Sequence, residues 1–200
     1  MKIVLASHNK KKIAELRTLL CEYIPNVEIL SLAEAGVEGE IIEDGDSFEA
    51  NALIKARAAA ASGYIGVGDD SGLCVRALND APGIYSARYA GKDGDDKANL
   101  DLLLHNMKNE TDRAAEFRCC IACVFPDGQE DIVVMGDVQG ELLYESAGEG
   151  GFGYDPIFYY PPFGKSFGEI PAEQKNQISH RAVALRAFAK ELQARIKQDK

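Results

Sequence analysis

Apolar positions recur along this chain with two different spacings, and each change of spacing marks a change of element. Lys2 to Ala6 is a short apolar run and predicts a strand, followed by a tight turn at Ser7-His8-Asn9 with a capping residue. Ile13, Leu16, Leu20 and Tyr23 then fall at helical spacing until Pro25 stops the helix. A second strand is expected around Val27 to Leu30, and a glycine- and acid-rich segment runs from Gly36 to Asp46. The next helix spans Phe48 to Ser62, capped by Asp46 or Ser47 and closed by Gly63. Gly66 to Val75 reads as strand, acidic turn and second short strand, with a turn at 79–83 and a polar loop over 92–96. Leu100, Leu103, Leu104 and Met107 predict a helix over Leu100 to Met107. Two central strands, Ala115 to Phe125 and Asp131 to Val138, form a hairpin through Pro126-Asp127-Gly128. After a glycine-rich loop, the last helix starts near Ser179 and keeps Leu185, Phe188, Leu192 and Ile196 on one face. Interleaved strands and helices around a hairpin predict a mixed-sheet α/β protein, not a purely doubly wound one.

Composition narrows the functional classes. Two hundred residues with 46% hydrophobic content can bury a core in one or two lobes. A net charge of -10 argues against nonspecific binding of duplex nucleic acid, but a nucleotide needs only a local basic pocket. No apolar run approaches the roughly 18 residues of a membrane span, and the apolar opening is too short for a secretion signal. The expectation is a cytoplasmic protein without membrane association. Its five cysteines then stay reduced, and Cys120 and Cys123, a C-x-x-C inside an apolar run, read as buried structural residues.

Gly68-Asp69-Asp70-Ser71-Gly72 carries the first chemical signal, since two carboxylates at the end of an apolar strand call for a cation. Lys10, Lys11 and Lys12 cluster at a helix N-terminus, where cations oppose the dipole unless an anion is received there. Ser7 and Asn9 could add donors; the alternative is that the lysines simply project into water. Asn51 and Lys55, four residues apart, share one helix face among alanines, either a solvated face or a functional pair. Glu43 could meet a metal opposite Asp70. Gly148 to Gly153 formally matches G-x-G-x-x-G, but Tyr154-Asp155-Pro156 follows and cannot open the helix a dinucleotide site requires. A loop presenting Phe152 and Asp155 suits a planar base instead: a ring to stack on and a carboxylate to accept a ring N–H. His180 and Arg181 could donate to a purine carbonyl, while Lys175, in the polar loop 173–177, would by itself be an ordinary surface residue.

Five stretches together resemble one family: Ser7 to Lys12, Ser47 to Ala56, Asp69 to Leu73 continuing into Ala81 to Gly91, Gly151 to Phe158, and Ser179-His180-Arg181. In order and spacing they are similar to the inosine triphosphate pyrophosphatase family, the noncanonical purine NTP pyrophosphatases or XTP/dITP diphosphatases. The resemblance covers nearly the whole chain. It implies one ITPase-like domain over residues 1–200: a mixed, elongated central sheet flanked by helices, in two lobes with the active cleft between them. It further implies a homodimer that binds a small nucleotide, not nucleic acid.

The implied reaction is magnesium-dependent hydrolysis of ITP, dITP or XTP to the monophosphate and pyrophosphate, which keeps such nucleotides out of nucleic acid. On that resemblance Asp70 is the general base or metal-bound carboxylate and Glu43 a second metal ligand. Lys12, Lys55 and Lys175 neutralise the triphosphate, and Ser7, Asn9 and Ser71 donate. Phe152, Asp155, His180 and Arg181 read the base, with His8, Lys10, Lys11, Asn51, Gly153 and Tyr154 completing the substrate-binding set. The chain departs from the family pattern at Ala50, where glutamate is frequent, at Gly68, where alanine is usual, and at Ala182, where glycine is common. Two rivals are a looser pyrophosphatase, such as the septum-associated family with its Ser-x-Ser-x-x-Arg start, and a nucleotide-binding module that does not hydrolyse.

Overall fold

A computed structural model describes residues 1–7 and 10–198, apart from the side chains of 10, 11 and 198. The described elements are β1 (Lys2–Leu5), α1 (Lys10–Tyr23), β2 (Glu28–Ser31), α2 (Phe48–Ala60), β3 (Ile65–Val75) and α3 (Asp96–Asn106). They continue with β4 (Ala114–Val124), β5 (Ile132–Leu142), β6 (Phe158–Tyr160), β7 (Lys165–Ser166), α4 (Ala172–Ile178) and α5 (His180–Gln198). Seven strands hydrogen-bond in the order β2-β1-β3-β4-β5-β6-β7. β1 is parallel to β2 and β3, while β5–β6 and β6–β7 are antiparallel. The expected mixed α/β sheet is therefore present. By packing, the chain forms two compact units: residues 1–70, 119–136 and 181–200, and residues 71–118 and 137–180.

The first unit follows from the alternation of side chains along a strand. Val67 lies on one face of β3 with Ile3 and Leu5 of β1 and with Cys119, Ile121 and Cys123 of β4. Leu16 and Leu20 of α1 and Leu185, Phe188 and Leu192 of α5 cover that face. Gly66 and Gly68 turn to the other face, where α2 lies almost on the strand backbone. A Cβ on Gly66 would come within 2.1 Å of the Ala56 carbonyl oxygen, and one on Gly68 within 2.0 Å of that of Ala52. This approach explains the alanines of α2: Ala52, Ala56 and Ala59 are fully buried against the sheet. Ser47 caps the helix, its hydroxyl accepting from the Ala50 N–H at 3.1 Å.

The second unit is packed around aromatic rings. Phe117, Phe158 and Phe167 meet in its core with Leu73, Val75, Leu103, Met107 and Ile157. The Tyr154 hydroxyl donates to the Ser86 carbonyl at 2.9 Å.

Several expected boundaries change. The acidic turn within Gly66–Val75 does not form: β3 runs unbroken through Asp69 and Asp70, because both carboxylates find cationic partners without leaving the strand. The expected polar loop over 92–96 ends early, since Asp95 caps α3 by accepting from the Ala98 N–H at 3.1 Å, so the helix begins ahead of its apolar positions. Residues 173–177, expected as a loop, lie in the short helix α4, which carries too few apolar positions for a period to show. β5 continues past Val138 to Leu142.

Gly68→Ala is expected to destabilise the fold by about 1–3 kcal/mol, the cost of an added methyl with no room, and thermal unfolding measures it.

Candidate active site

Adjacent residues of a strand point to opposite faces, so Asp69 and Asp70 meet different partners. Asp69 continues the Val67 face and is 6% exposed. Its Oδ1 accepts from Lys12 Nζ, its Oδ2 from Arg181 Nε at 2.9 Å, and the Cys119 thiol lies 3.6 Å from Oδ2. Arg181 also reaches Glu15 at 3.6 Å. Burial alone would raise the Asp69 pKa, but Arg181 and Lys12 outweigh it and hold the carboxyl far below the usual range. Burial likewise disfavours the Arg181 charge, and Asp69 more than restores it.

Asp70 turns toward α2. Lys55 Nζ donates to Asp70 Oδ1 at 2.8 Å and to Glu43 Oε2 at 2.7 Å. Asn51, 1% exposed, ties the same corner together. Its amide nitrogen lies 3.4 Å from Asp70 Oδ2, and its amide oxygen accepts from the Gly45 N–H at 2.9 Å. That second bond fixes the segment bearing Glu43. Burial, reinforced by the negative charge of Glu43, raises the Asp70 pKa from its ordinary value despite Lys55. Lys55 is pushed the other way by burial, and its two carboxylates keep its pKa above the normal value.

Glu43 and Asp70 thus converge on one cationic atom. Among the described residues no cluster of three or more carboxylate, thiol or imidazole groups surrounds a common point. Two oxygen donors fit magnesium, which is usually held by one or two carboxylates with substrate phosphates and water filling its shell.

In the second unit, Asp155 is buried. Its Oδ2 accepts from the Phe152 N–H at 2.8 Å and from Lys175 Nζ. That ammonium sits 4.6 Å from the centre of the Phe152 ring and 5.5 Å from that of Phe167. His180 stacks on Phe117, ring centres 4.8 Å apart and planes 12° from parallel. Phe152 is 41% exposed, a large ring held over a cation with much of its surface open to solvent.

A family model described as the Ham1 family matches residues 3–191. The chain belongs to the Ham1 family. It is 45% identical over 184 residues to a Desulfotalea psychrophila protein named dITP/XTP pyrophosphatase, an alignment covering 92% of this chain and 81% of that one. The solved Staphylococcus aureus Ham1 protein superposes with a TM-score of 0.88 at 42% identity, covering 100% of both chains. A HAM1 protein from Coxiella burnetii gives a TM-score of 0.90 at 39% identity, covering 96% of this chain and 98% of that one. The resemblance read from the motifs is borne out at the level of family and fold.

Within this Ham1 chain the motif residues separate by unit. Lys12, Glu43, Asn51, Lys55, Asp70 and Arg181 belong to the first, and Phe152, Gly153, Tyr154, Asp155, Lys175 and His180 to the second. Lys175, expected at the triphosphate, is bonded to Asp155 and lies over Phe152, among the residues expected at the base. Arg181, expected at the base, is committed to Asp69. Ser7 follows β1, its N–H donating to the Leu5 carbonyl at 2.8 Å, and Ser71 lies within β3. Asn51 and Lys55 do not form a solvated face; both are buried. His8 and Asn9 lie outside the described residues, as do the side chains of Lys10 and Lys11.

Cys120 and Cys123 are buried, and burial pushes each thiol up to about 12, far from thiolate chemistry. Being three apart in β4, they point to opposite faces and cannot share a ligand. The motif reading missed Glu15, which pairs with Arg181, Phe117, which stacks on His180, and Asp96, which accepts from the Gly153 N–H. Glu15 was within reach of it, three residues after Lys12 on the same helical face. The other two are fixed by tertiary packing.

Asp69→Asn is expected to cost about 3–5 kcal/mol at pH 7, because Lys12 and Arg181 lose a buried counter-charge. The Asp69 pKa is lowered by folding, so its stabilisation is complete above its unfolded value near about 4 and declines as pH falls below it. Urea unfolding of variant and wild type should therefore show a gap that narrows from pH 7 to about pH 3. A constant gap would mean that Asp69 acts by shape and not by charge.

Proposed function

We propose that this chain is a nucleoside-triphosphate pyrophosphatase acting on the noncanonical purine nucleotides ITP, dITP and XTP. It would convert each, with water, to the monophosphate and pyrophosphate and so keep them out of nucleic acid. The supporting observation is the Glu43–Lys55–Asp70 arrangement, a buried and a half-buried carboxylate already shaped around one cation. The dITP/XTP pyrophosphatase name of a relative 45% identical points to the same substrate class. We further propose a soluble cytoplasmic homodimer with no nucleic-acid or membrane role.

Asp70 accepts a proton from the attacking water as its oxygen bonds to the α-phosphorus and the α–β bridging oxygen leaves with pyrophosphate. A carboxylate whose pKa is raised by burial is a better base than an exposed one. Lys12 and Lys55 neutralise the phosphates, and Asn51 keeps Glu43 in register with Asp70. Magnesium, when held by Glu43 and Asp70, supplies further charge compensation at the phosphoryl oxygens.

For the base we assign Phe152 as the stacking face, with Asp155, Lys175 and His180 as the polar readers. Lys175 moves to this group because Asp155 and Phe152 hold it there. Arg181 is assigned to keeping Asp69 ionised. Donors aimed at a 6-keto oxygen are left unpaired by the 6-amino group of adenine, a penalty of about 10⁴–10⁵ in specificity where such groups are buried.

Pyrophosphate release from ITP, XTP, GTP and ATP tests the reading. ITP and XTP should turn over with magnesium and fall silent with EDTA, while GTP and ATP stay nearly inert. Equal rates on all four would remove the base-reading role. Stoichiometric ITP binding without pyrophosphate would favour a nucleotide-binding module. Asp70→Asn should lower kcat by about 10²–10⁴, the usual worth of a general base, with ITP binding by calorimetry changed only a few-fold. Near-normal kcat would take Asp70 out of the chemistry.

A further inference from the structure

The loop that presents Phe152 is tied down one amide at a time. The Gly150 N–H donates to the Gly168 carbonyl at 2.9 Å, the Phe152 N–H to Asp155 Oδ2 at 2.8 Å, and the Gly153 N–H to Asp96 Oδ2 at 2.9 Å. Before Phe152 the loop is fixed by close approach to the Gly168 backbone and to the Asp155 side chain. A Cβ on Gly148 would lie 2.3 Å from the Gly168 carbonyl carbon, and one on Gly151 2.2 Å from Asp155 Oδ2. After Phe152, the Gly153 N–H is held by a side chain from a different element, the first residue of α3.

Asp96 is not the cap of α3, and as a first-turn carboxylate it adds only a modest interaction with the helix dipole. Asp95 already caps α3 through the Ala98 N–H, and Asp96 is exposed. The helix behind it is rigidly rooted. Leu103 and Met107 are fully buried, and the Asn99 amide exchanges hydrogen bonds with Ala90 N–H at 2.7 Å and the Ala87 carbonyl at 3.0 Å. A half-exposed ring can stack on a ligand reproducibly only if its backbone is held on both sides.

We propose that Asp96 is a positioning residue for nucleotide specificity, acting through the Gly153 N–H to hold Phe152 in place for the purine base. The inference rests on the base-binding role assigned above to Phe152. Stacking is present in ground and transition states alike, so loss of the clamp weakens uniform binding and shows in KM more than in kcat.

Steady-state kinetics of Asp96→Ala, Asp96→Asn and Phe152→Ala on ITP test this, with thermal melting and amide hydrogen exchange at Gly153 alongside. Asp96→Ala should raise KM about 5- to 10-fold with kcat within about 2-fold, the scale of one lost hydrogen bond. Its Gly153 amide should exchange faster while the melting temperature stays close to wild type. Asp96→Asn should restore KM to within about 2-fold, since its amide oxygen still accepts the Gly153 N–H. Phe152→Ala should raise KM at least as much as Asp96→Ala. A raised KM in Phe152→Ala with an unchanged one in Asp96→Ala overturns the clamp while leaving the base site intact. Asp96→Asn behaving like Asp96→Ala also overturns it, since the hydrogen bond would then be irrelevant. An unchanged KM in Phe152→Ala removes the base-binding role itself, and the clamp with it.

Discussion

Two neighbouring carboxylates inside a buried strand are the constraint around which the first unit is arranged. An unpaired buried carboxylate costs several kcal/mol or gives up its charge. Strand alternation forbids one cation from serving both. Asp69 therefore draws Lys12 from α1 and Arg181 from α5, the two helices that cover the Val67 face. Asp70 draws Asn51 and Lys55 from α2 on the opposite face. The apolar contacts of these helices supply most of the burial, and the carboxylates fix their register. Sliding α2 by one turn would keep its alanines against the glycines but strand both Lys55 and Asp70.

Glycines serve close packing of the backbone in two places. Gly66 and Gly68 let a helix settle on a strand, which gives Lys55 the reach to bridge Asp70 and Glu43. Gly148, Gly150 and Gly151 let a loop settle against Gly168 and Asp155, which puts Phe152 at the surface. The same residue type makes an apparent dinucleotide fingerprint in the second case. Rejecting that match depended on Pro156, which cannot sit inside the helix the fingerprint requires.

What was legible in the sequence was whatever repeats or punctuates. The period of α1 and α5, the cap at Ser47 and the hairpin flanked by long apolar runs all came from local pattern. The acidic pair was legible as chemistry but misread as a turn, because local propensity sees two aspartates and not the three cations that meet them from distant segments. α4 was invisible for a related reason, since its helix is held by its surroundings and not by an apolar stripe. Asn51 and Lys55 looked as much like a solvated face as a site. The close approach of α2 to Gly66 and Gly68 helps bury that face, and no helical period encodes a strand's lack of side chains.

Asp69 and Asp70 show how far environment outweighs identity. Both are aspartates, both are buried, and desolvation pushes both toward the neutral form. Asp69 meets two cations, one of them a guanidinium that does not give up its proton, and is fixed as a charge that holds α1 and α5 to the sheet. Asp70 is buried against a single lysine that it shares with Glu43, too little to offset its desolvation, and its pKa rises. A carboxylate that is too stable as an anion makes a poor base and a committed structural partner. One kept close to its proton, beside a second oxygen donor, can exchange a proton or receive a metal. The strand separates these two environments by one peptide bond, and the separation requires nothing beyond the alternation of its side chains.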